Sequence, residues 1–389
     1  MKPLSPSTLA QAVFRTSDRF DLVLADRLAL EESLALAALH RDPSFYGVLR
    51  PRGDHGGTVR AVDRDTALLW LTLREPGPVP RYVWADDPDA AATGLTSLVL
   101  DGVLDVAHGD GFVTGAAAAP AMMAAGEVRA SGRLGQLSRT ALRWAEALLP
   151  LDPADLASRL YQFGRAPRTA ARARSLVNRE AVLAFLGAAE GTTLARHLRT
   201  AWRAGAAGEA PWIAWSLDGH AREMPRDRPT FKLYVSPRLD ELPRAFAAVA
   251  TLGRHAPWHF KVGADATGVL RPDKLVLYFP AIDALHDAAA VLARALDGVA
   301  AHGVPFTAEI AGGGLLSWGL DPPQTARVAA WQAPESWRLW VVQRLAATMS
   351  AAAMSETGLC PSEFALERLR LEGVDVDGWT PTEALWRRG

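Results

Sequence analysis

The sequence predicts an α+β protein, with a small mixed α/β domain first, a helical middle, and then an α+β sheet domain with a helical tail. Helical patterns fill residues 126–206, whereas strand-like apolar runs alternate with helical ones over residues 230–310. Of the 389 residues, 49% are hydrophobic, which is enough to form several cores. We therefore expect domains at residues 1–125, 126–222, 223–330 and 331–389.

The first domain shows both helical and strand-like patterns. Its expected elements are a helix at 5–40, hairpin strands at 58–62 and 67–73, a helix at 93–100, and a second hairpin at 102–106 and 112–114. The second hairpin fits either the wing of a winged helix or a small mixed sheet.

The middle of the chain is expected to form helices at residues 134–149, 153–163, 167–186 and 192–204. A local basic face includes Arg165, Arg168, Arg172 and Arg174. Such a face is either a solvated helix surface or a docking face for an acidic or phosphorylated peptide.

The third domain alternates strands and helices. Strands are expected at residues 230–236, 258–262, 275–279 and 306–310, with helices at 242–253 and 284–301. The tail is expected to be helical at residues 334–353 and 363–371.

Composition excludes several classes of protein. The chain has 42 basic and 43 acidic residues, whereas a dedicated nucleic-acid-binding protein usually shows a basic excess. The Ala-rich run at 116–125 is too short for a membrane span and contains Pro120. The start, Met1-Lys2-Pro3, lacks the pattern of a secretion signal. We expect a cytoplasmic protein with no nucleic-acid or membrane partner.

Metal and nucleotide motifs are weak or missing. A single cysteine, Cys360, excludes an internal disulfide and a cysteine-cluster metal site. His255 and His259 have the spacing of a zinc-binding helix, but Pro257 lies between them. The sequence contains neither a P-loop nor a dinucleotide-binding glycine motif, and Ser317 does not lie in a nucleophile elbow. We therefore expect no metal.

Lysine is scarce. Of the 42 basic residues, four are lysines, and three of these, Lys232, Lys261 and Lys274, fall within 43 residues. An Arg side chain stays protonated in proteins, whereas a Lys amine can be tuned to act as a base. The cluster is either chance combined with surface solvation, or a sign that at least one amine does chemistry.

Strand periodicity places polar groups together. Lys232, Tyr234 and Ser236 share one face of a strand, and their apolar neighbours share the other. Lys261 lies on a second predicted strand, and Arg271, Lys274 and Tyr278 lie on or before a third. If these strands pair, they form a positive cleft that favours an anion and lowers the pKa of at least one lysine.

These motifs resemble a known family. The chain contains Phe-Lys-Leu-Tyr-Val-Ser-Pro from 231, Phe-Lys-Val from 260, Asp-Lys-Leu-Val-Leu-Tyr-Phe-Pro from 273, Gly-Val-Pro-Phe from 303 and Leu-Ser-Trp-Gly from 316. Over residues 230–321 this order resembles the phosphoserine/phosphothreonine lyase domain of class III and IV lanthipeptide synthetases. It is also similar to phosphothreonine lyase effectors and to stand-alone lyases of peptide-modifying pathways.

The resemblance implies a reaction and residue roles. A lysine removes the α-proton of a phosphorylated Ser or Thr, phosphate leaves, and a dehydroamino acid forms without metal or cofactor. By motif, Lys261 would be the base, and Lys232, Arg271 and Lys274 would bind phosphate. Tyr234 stands where the family usually has a histidine acid, and an arginine usual near Trp318 is missing.

Two functions follow. The first is a lyase that eliminates phosphate from a phosphorylated peptide, working with a kinase or other modification enzymes. The second is a non-catalytic partner that binds a peptide or an anion through a degenerate lyase-like domain; the 13 tryptophans suit such an interface. An unrelated enzyme or a structural protein are the remaining readings.

Overall fold

A computed structural model of the chain describes residues 2–36, 39–53, 59–124, 129–205, 211–217, 230–322, 336–355 and 358–382. The α-helices are α1 Pro6–Leu9, α2 Leu30–Ala35, α3 Arg64–Thr72, α4 Pro88–Leu100, α5 Ala119–Met122, α6 Gly132–Glu146, α7 Pro153–Gln162, α8 Ala170–Ser175, α9 Arg179–Phe185, α10 Thr193–Ala201, α11 Leu242–Ala250, α12 Ala266–Val269, α13 Ile282–Ala295, α14 Trp337–Ala353 and α15 Pro361–Leu371.

The strands are β1 Lys2–Pro3, β2 Phe14–Thr16, β3 Phe20–Leu24, β4 Phe45–Pro51, β5 Arg60–Asp63, β6 Leu104–His108, β7 Gly111–Val113, β8 Met123–Ala124, β9 Arg203–Ala204, β10 Trp212–Ser216, β11 Phe231–Val235, β12 His259–Gly263, β13 Leu275–Phe279, β14 Ala308–Ile310, β15 Leu316–Leu320, β16 Val374–Asp375 and β17 Thr380–Pro381. Helices and strands thus form an α+β protein, as the sequence predicts.

A large antiparallel sheet organises the second half of the molecule. Within the described residues it has seven strands, in the order β14-β15-β11-β13-β12-β10-β9. Leu233, Phe260 and Leu277 point to one face, where helices α11 and α13 cover them. Because side chains alternate along a strand, the residues between them point to the opposite face. The alternation expected for residues 231–236 is therefore confirmed.

The opposite face is partly covered by a second hydrophobic core. Helices α6, α7, α14 and α15 form this core together with Phe306. Trp337, at the start of α14, packs so closely on β15 that a Cβ added to Gly319 would lie 2.4 Å from its ring. The indole of Trp337 also donates a hydrogen bond to the Phe306 carbonyl oxygen (2.9 Å). The first turn of α14 is thereby fixed against the sheet.

The structure corrects two expectations in the N-terminal region. The helix expected at 5–40 is wrong: β2 and β3 interrupt it, and residues 37 and 38 lie outside the described residues. Leucines two positions apart suit a strand as well as a helix, and pairing of Leu22 with Leu49 on β4 decides for the strand. The strand expected at 67–73 is also wrong. The Asp63 carboxylate accepts the Thr66 amide (2.8 Å) and caps helix α3.

The structure confirms one further expected element and divides another. The second hairpin is confirmed as β6 and β7, which join β2 in an antiparallel sheet. The helix expected at 167–186 is two helices, α8 and α9, because Asn178 begins a new cap. Strands β9, β10 and β15 were not expected. The domain boundaries after residues 125, 222 and 330 fall outside the described residues, so that division stays a prediction.

None of the helices in the described part of the chain combines the length and hydropathy that crossing a membrane requires.

Candidate active site

Pairing of β11, β13 and β12 brings the predicted polar side chains to one face. Lys232 lies opposite Tyr278, which lies opposite His259 on the next strand. In the neighbouring row Tyr234 and Lys261 flank Val276. The sheet therefore brings both lysines and both tyrosines together.

Lys261 is the least constrained cation on this face. Its ammonium lies 4.5 Å from the ring centroid of Trp212 and 5.4 Å from that of Tyr278. Among the described residues it has no hydrogen-bond or ion-pair partner. Burial, reinforced by the positive charges of Lys232 and Arg271, lowers the pKa of Lys261 to about 8. A substantial fraction of the amine is therefore neutral near pH 8.

Lys232 is buried and paired. Its Nζ lies 2.5 Å from Oδ2 of Asp321 and 5.3 Å from the ring centroid of Tyr278. The Tyr278 ring thus lies beside the ammonium groups of both Lys232 and Lys261. Asp321, just beyond β15, was not expected from the sequence.

Arg271 is held by a carboxylate and two aromatic rings. Its Nε and Nη2 donate to the two oxygens of Asp273, each at 2.8 Å, and Nη2 also donates to the Tyr161 hydroxyl (2.9 Å). Its Cζ lies 5.1 Å from the ring centroids of both Tyr161 and Trp212. Nη1 has no partner among the residues that the structure describes. This nitrogen is therefore available to an anion.

A second arginine supports the first through Asp273. Nη1 of Arg338, which is 1% exposed, lies 2.9 Å from Oδ2 of Asp273. Arg338 also donates to the carbonyl oxygens of Tyr161 (3.1 Å) and Pro305 (3.3 Å). Burial alone would raise the pKa of Asp273, but Arg338 and Arg271 outweigh it and lower that pKa. The carboxylate therefore stays charged and shared.

Lys274 is placed differently from the other two lysines. It is fully buried, and its Nζ donates to the Pro237 carbonyl oxygen (2.9 Å) and to Nδ1 of His302 (2.8 Å). His302 in turn donates from Nε2 to the Gly164 carbonyl oxygen (2.5 Å). Burial lowers the pKa of Lys274 to about 7. The Lys274 ammonium thus contacts a backbone carbonyl and a histidine, and not the groups around Lys261.

Two phenols face the site. Tyr234 is 3% exposed and packs against Val276, Val304 and Tyr278. Burial raises the pKa of both Tyr234 and Tyr278 well above 10. Both phenols therefore keep their protons at neutral pH.

The histidines that the structure describes do not belong to a three-ligand metal cluster. No group of three or more His, Cys, Asp or Glu side chains that could hold a metal ion occurs among the described residues. His259 packs against the ring of Tyr278, with centroids 5.1 Å apart, and burial lowers its pKa to about 4. His255 lies next to Arg254, whose Nε is 3.1 Å from Nε2 of the imidazole.

Sequence reasoning missed the groups that arrive from outside the predicted sheet domain. Trp212, Tyr161 and Arg338 come from β10, α7 and α14, and no local pattern links them to Lys261. The position of Asp273 was the one indication in the sequence of a carboxylate at the site, because it lies two residues after Arg271 and directly before Lys274.

No family model matches the sequence, and no curated protein matches it. An effector protein from Pseudomonas syringae pv. tomato strain DC3000 is similar in structure at a TM-score of 0.39 and 14% identity, over 62% of this chain and 96% of that chain. The phosphothreonine lyase SpvC from Salmonella is similar at 0.25 and 17%, over 45% and 90%. The phosphothreonine lyase effector VirA from Chromobacterium violaceum is similar at 0.26 and 14%, over 37% and 77%. The chain is thus distantly similar to these effectors, at TM-scores that do not establish a common activity.

Proposed function

We propose that the protein is a lyase that eliminates phosphate from a phosphoserine or phosphothreonine residue of a peptide. The observation that carries this proposal is Lys261, a buried amine with a lowered pKa and no carboxylate partner among the described residues. A general base must be neutral at the working pH, and such a site provides that state.

The reaction needs a base, an anion site and an acid. The neutral Lys261 amine removes the Cα proton of the phosphorylated residue, and the C–H electron pair forms the Cα=Cβ double bond. The Cβ–O bond breaks, and its electrons leave with the phosphate oxygen. A phenol proton passes to that oxygen, so the products are a dehydroamino acid and inorganic phosphate. Solvent then restores both protonation states.

The anion site is formed by fixed cations. Nη1 of Arg271 is free among the described residues, and Lys232 adds an ammonium across Tyr278. Fixed positive groups stabilise the charge that develops on the leaving phosphate. Lys274, expected to share this role, has its ammonium on Pro237 and His302.

Either phenol can supply the proton. Tyr234 occupies the expected position on β11, and Tyr278 lies beside both amines. Both carry the proton at neutral pH, and burial raises their pKa further. Loss of elimination in Tyr234→Phe or in Tyr278→Phe identifies the donor.

The proposal extends to a modification pathway. A phosphorylated residue has to be made by a kinase, and a dehydroamino acid is an electrophile that a nucleophile can trap. We therefore place the protein between a kinase and a later modification step, as in lanthipeptide formation, inside the cell.

One observation favours the alternative, a non-catalytic peptide- or anion-binding partner. The available acids are phenols with raised pKa values, which donate a proton to a leaving group less readily than an imidazolium does. Such a protein would bind the phosphopeptide without breaking the Cβ–O bond.

The test compares lysine variants on a phosphothreonine peptide, with loss of phosphoric acid followed by mass spectrometry. Lys261→Arg keeps the positive charge but cannot act as a base, so we expect elimination to fall by at least about 100-fold while binding persists. Lys2→Arg, at an exposed side chain of β1, is the matched control and should keep full activity. Binding without elimination by the unaltered protein, weakened in Arg271→Gln, would support the partner instead.

A further inference from the structure

The loop between α7 and α8 runs beside the proposed phosphate site. The Ala166 amide donates to the carbonyl oxygen of Leu270, the residue before Arg271 (2.9 Å). Nη2 of Arg165 donates to the Thr267 carbonyl oxygen (2.5 Å). Near the end of α7, just before this loop, the Tyr161 hydroxyl accepts a hydrogen bond from Arg271 itself. Arg165 is therefore held next to the segment that carries Arg271, and Arg168 follows it in the same loop.

The charge of this loop is not matched by carboxylates. Arg165 bonds to a backbone carbonyl and to Oε1 of Gln162 (3.1 Å), both of which are neutral. Neither Arg165 nor Arg168 forms an ion pair with any residue that the structure describes. By contrast, the exposed Arg50 forms an ion pair with Glu32 (2.8 Å). The loop therefore presents surplus positive charge.

The arginines are close enough to influence one another. Burial lowers the pKa of Arg165, and the charges of Arg271 and Arg168 lower it further. Asp265 and Asp273 act in the opposite direction, but their carboxylates are already bonded, to the Gly268 amide and to Arg271. A negative group brought to this loop would relieve that repulsion.

We propose that Arg165 and Arg168 form a subsite for acidic residues that flank the phosphorylated residue of the peptide. This inference rests on the proposed function, because the phosphate at Arg271 fixes where the neighbouring residues of the peptide lie. An extended peptide advances about 3.3 Å per residue, so residues a few positions from the phosphate can reach this loop. Guanidinium groups bind carboxylates through two parallel hydrogen bonds, which favours Asp and Glu there.

The test uses two phosphothreonine peptides that differ only at the flanks, one with Glu residues and one with Gln residues. With the unaltered protein, we expect KM for the Glu peptide to be about 3- to 20-fold lower, because two partly exposed ion pairs are gained. The difference should shrink at high salt, which screens exposed charges, and kcat should be similar for both peptides.

Variants locate the effect. Arg165→Gln/Arg168→Gln should raise KM for the Glu peptide to the value of the Gln peptide without changing kcat. Arg168→Gln alone, at an exposed side chain, should give part of the effect in a folded protein. Arg196→Gln, at an exposed side chain of helix α10, is the matched control and should change neither constant.

The outcomes separate the two proposals. Equal KM values for the two peptides, with normal elimination, would overturn the subsite and leave the lyase standing. If neither peptide undergoes elimination, the proposed lyase activity is overturned. The subsite would then be decided by fluorescence anisotropy of labelled peptides, where equal Kd values for the Glu and Gln peptides would overturn it.

Discussion

Lys261 differs from its cationic neighbours in what surrounds its charge. Lys232 has Asp321, and Arg271 has Asp273, whereas Lys261 has aromatic faces from Trp212 and Tyr278. An aromatic face attracts a cation but neutralises no charge, so burial still disfavours the ammonium. The neighbouring cations lower the pKa of Lys261, whereas the carboxylates Asp273 and Asp321 raise it. Mutation of each neighbour can therefore separate these contributions to the pKa.

The first prediction concerns pH dependence. The acid limb of kcat/KM should have its midpoint near the Lys261 pKa, about 8. Because the Lys232 charge lowers that pKa, Lys232→Met should move the limb to higher pH. Because the Asp321 charge raises it, Asp321→Asn should move the limb to lower pH, each by about one unit. Shifts in the same direction for both variants would contradict this assignment.

Close backbone approach fixes the end of β12, the strand that carries Lys261. A Cβ added to Gly263 would lie 2.2 Å from the backbone carbon of Gly268 on α12. Backbone cannot rotate away as a side chain can, so strand and helix would have to separate. The position of β12 therefore requires glycine, with no side chain, at residue 263.

The second prediction compares two glycine substitutions. Gly263→Ala should lower the free energy of unfolding by about 1–3 kcal/mol, because the added methyl group meets backbone. Gly94→Ala, inside helix α4 with no atom within 4 Å of the new Cβ, should raise it by about 0.5–1 kcal/mol. Urea unfolding measures both, and equal midpoints for the two variants would disprove the argument.

Strand faces could be predicted because they depend on local sequence. The alternation around Lys232 holds whatever the strand pairs with, so the sequence places Tyr234 beside it correctly. Element type is harder, since the spacing of Leu22 and Leu24 suits two structures and the partner strand β4 decides between them. The groups around Arg271 depend on tertiary packing, and no local pattern contains that information.

At the scale of the whole molecule, Lys274 connects distant segments. Its ammonium joins the Pro237 carbonyl to His302, which bonds to Gly164 after α7. A fully buried lysine is uncommon, and sequence reasoning placed this one in an anion site. Its contacts tie the sheet to the helices that cover it, so its protonation affects global stability.

The third prediction follows from linkage. The pKa of Lys274 is about 7 in the folded state and 10.5 as its ordinary value. Between these values the unfolded chain binds more protons, so this lysine makes the free energy of unfolding rise with pH, by up to about 1.4 kcal/mol per unit. Lys274→Met should remove that contribution between pH 7 and 9, whereas the exposed control Lys2→Met should parallel the unaltered protein. An unchanged slope in Lys274→Met would refute the linkage.

Asp273 connects the sheet domain to helix α14 through its two arginine partners. One of its two guanidinium partners, Arg338, belongs to α14, which begins after β15 and outside residues 230–321. A fragment limited to residues 230–321 would keep Lys232 and Lys261 but would remove Arg338 from the buried carboxylate of Asp273. Because Arg338 lowers the pKa of Asp273, its loss would raise that pKa and leave Arg271 as the remaining guanidinium partner. Transplanting the strands alone would therefore carry over the amines without the Arg338 contact that supports Asp273 and Arg271.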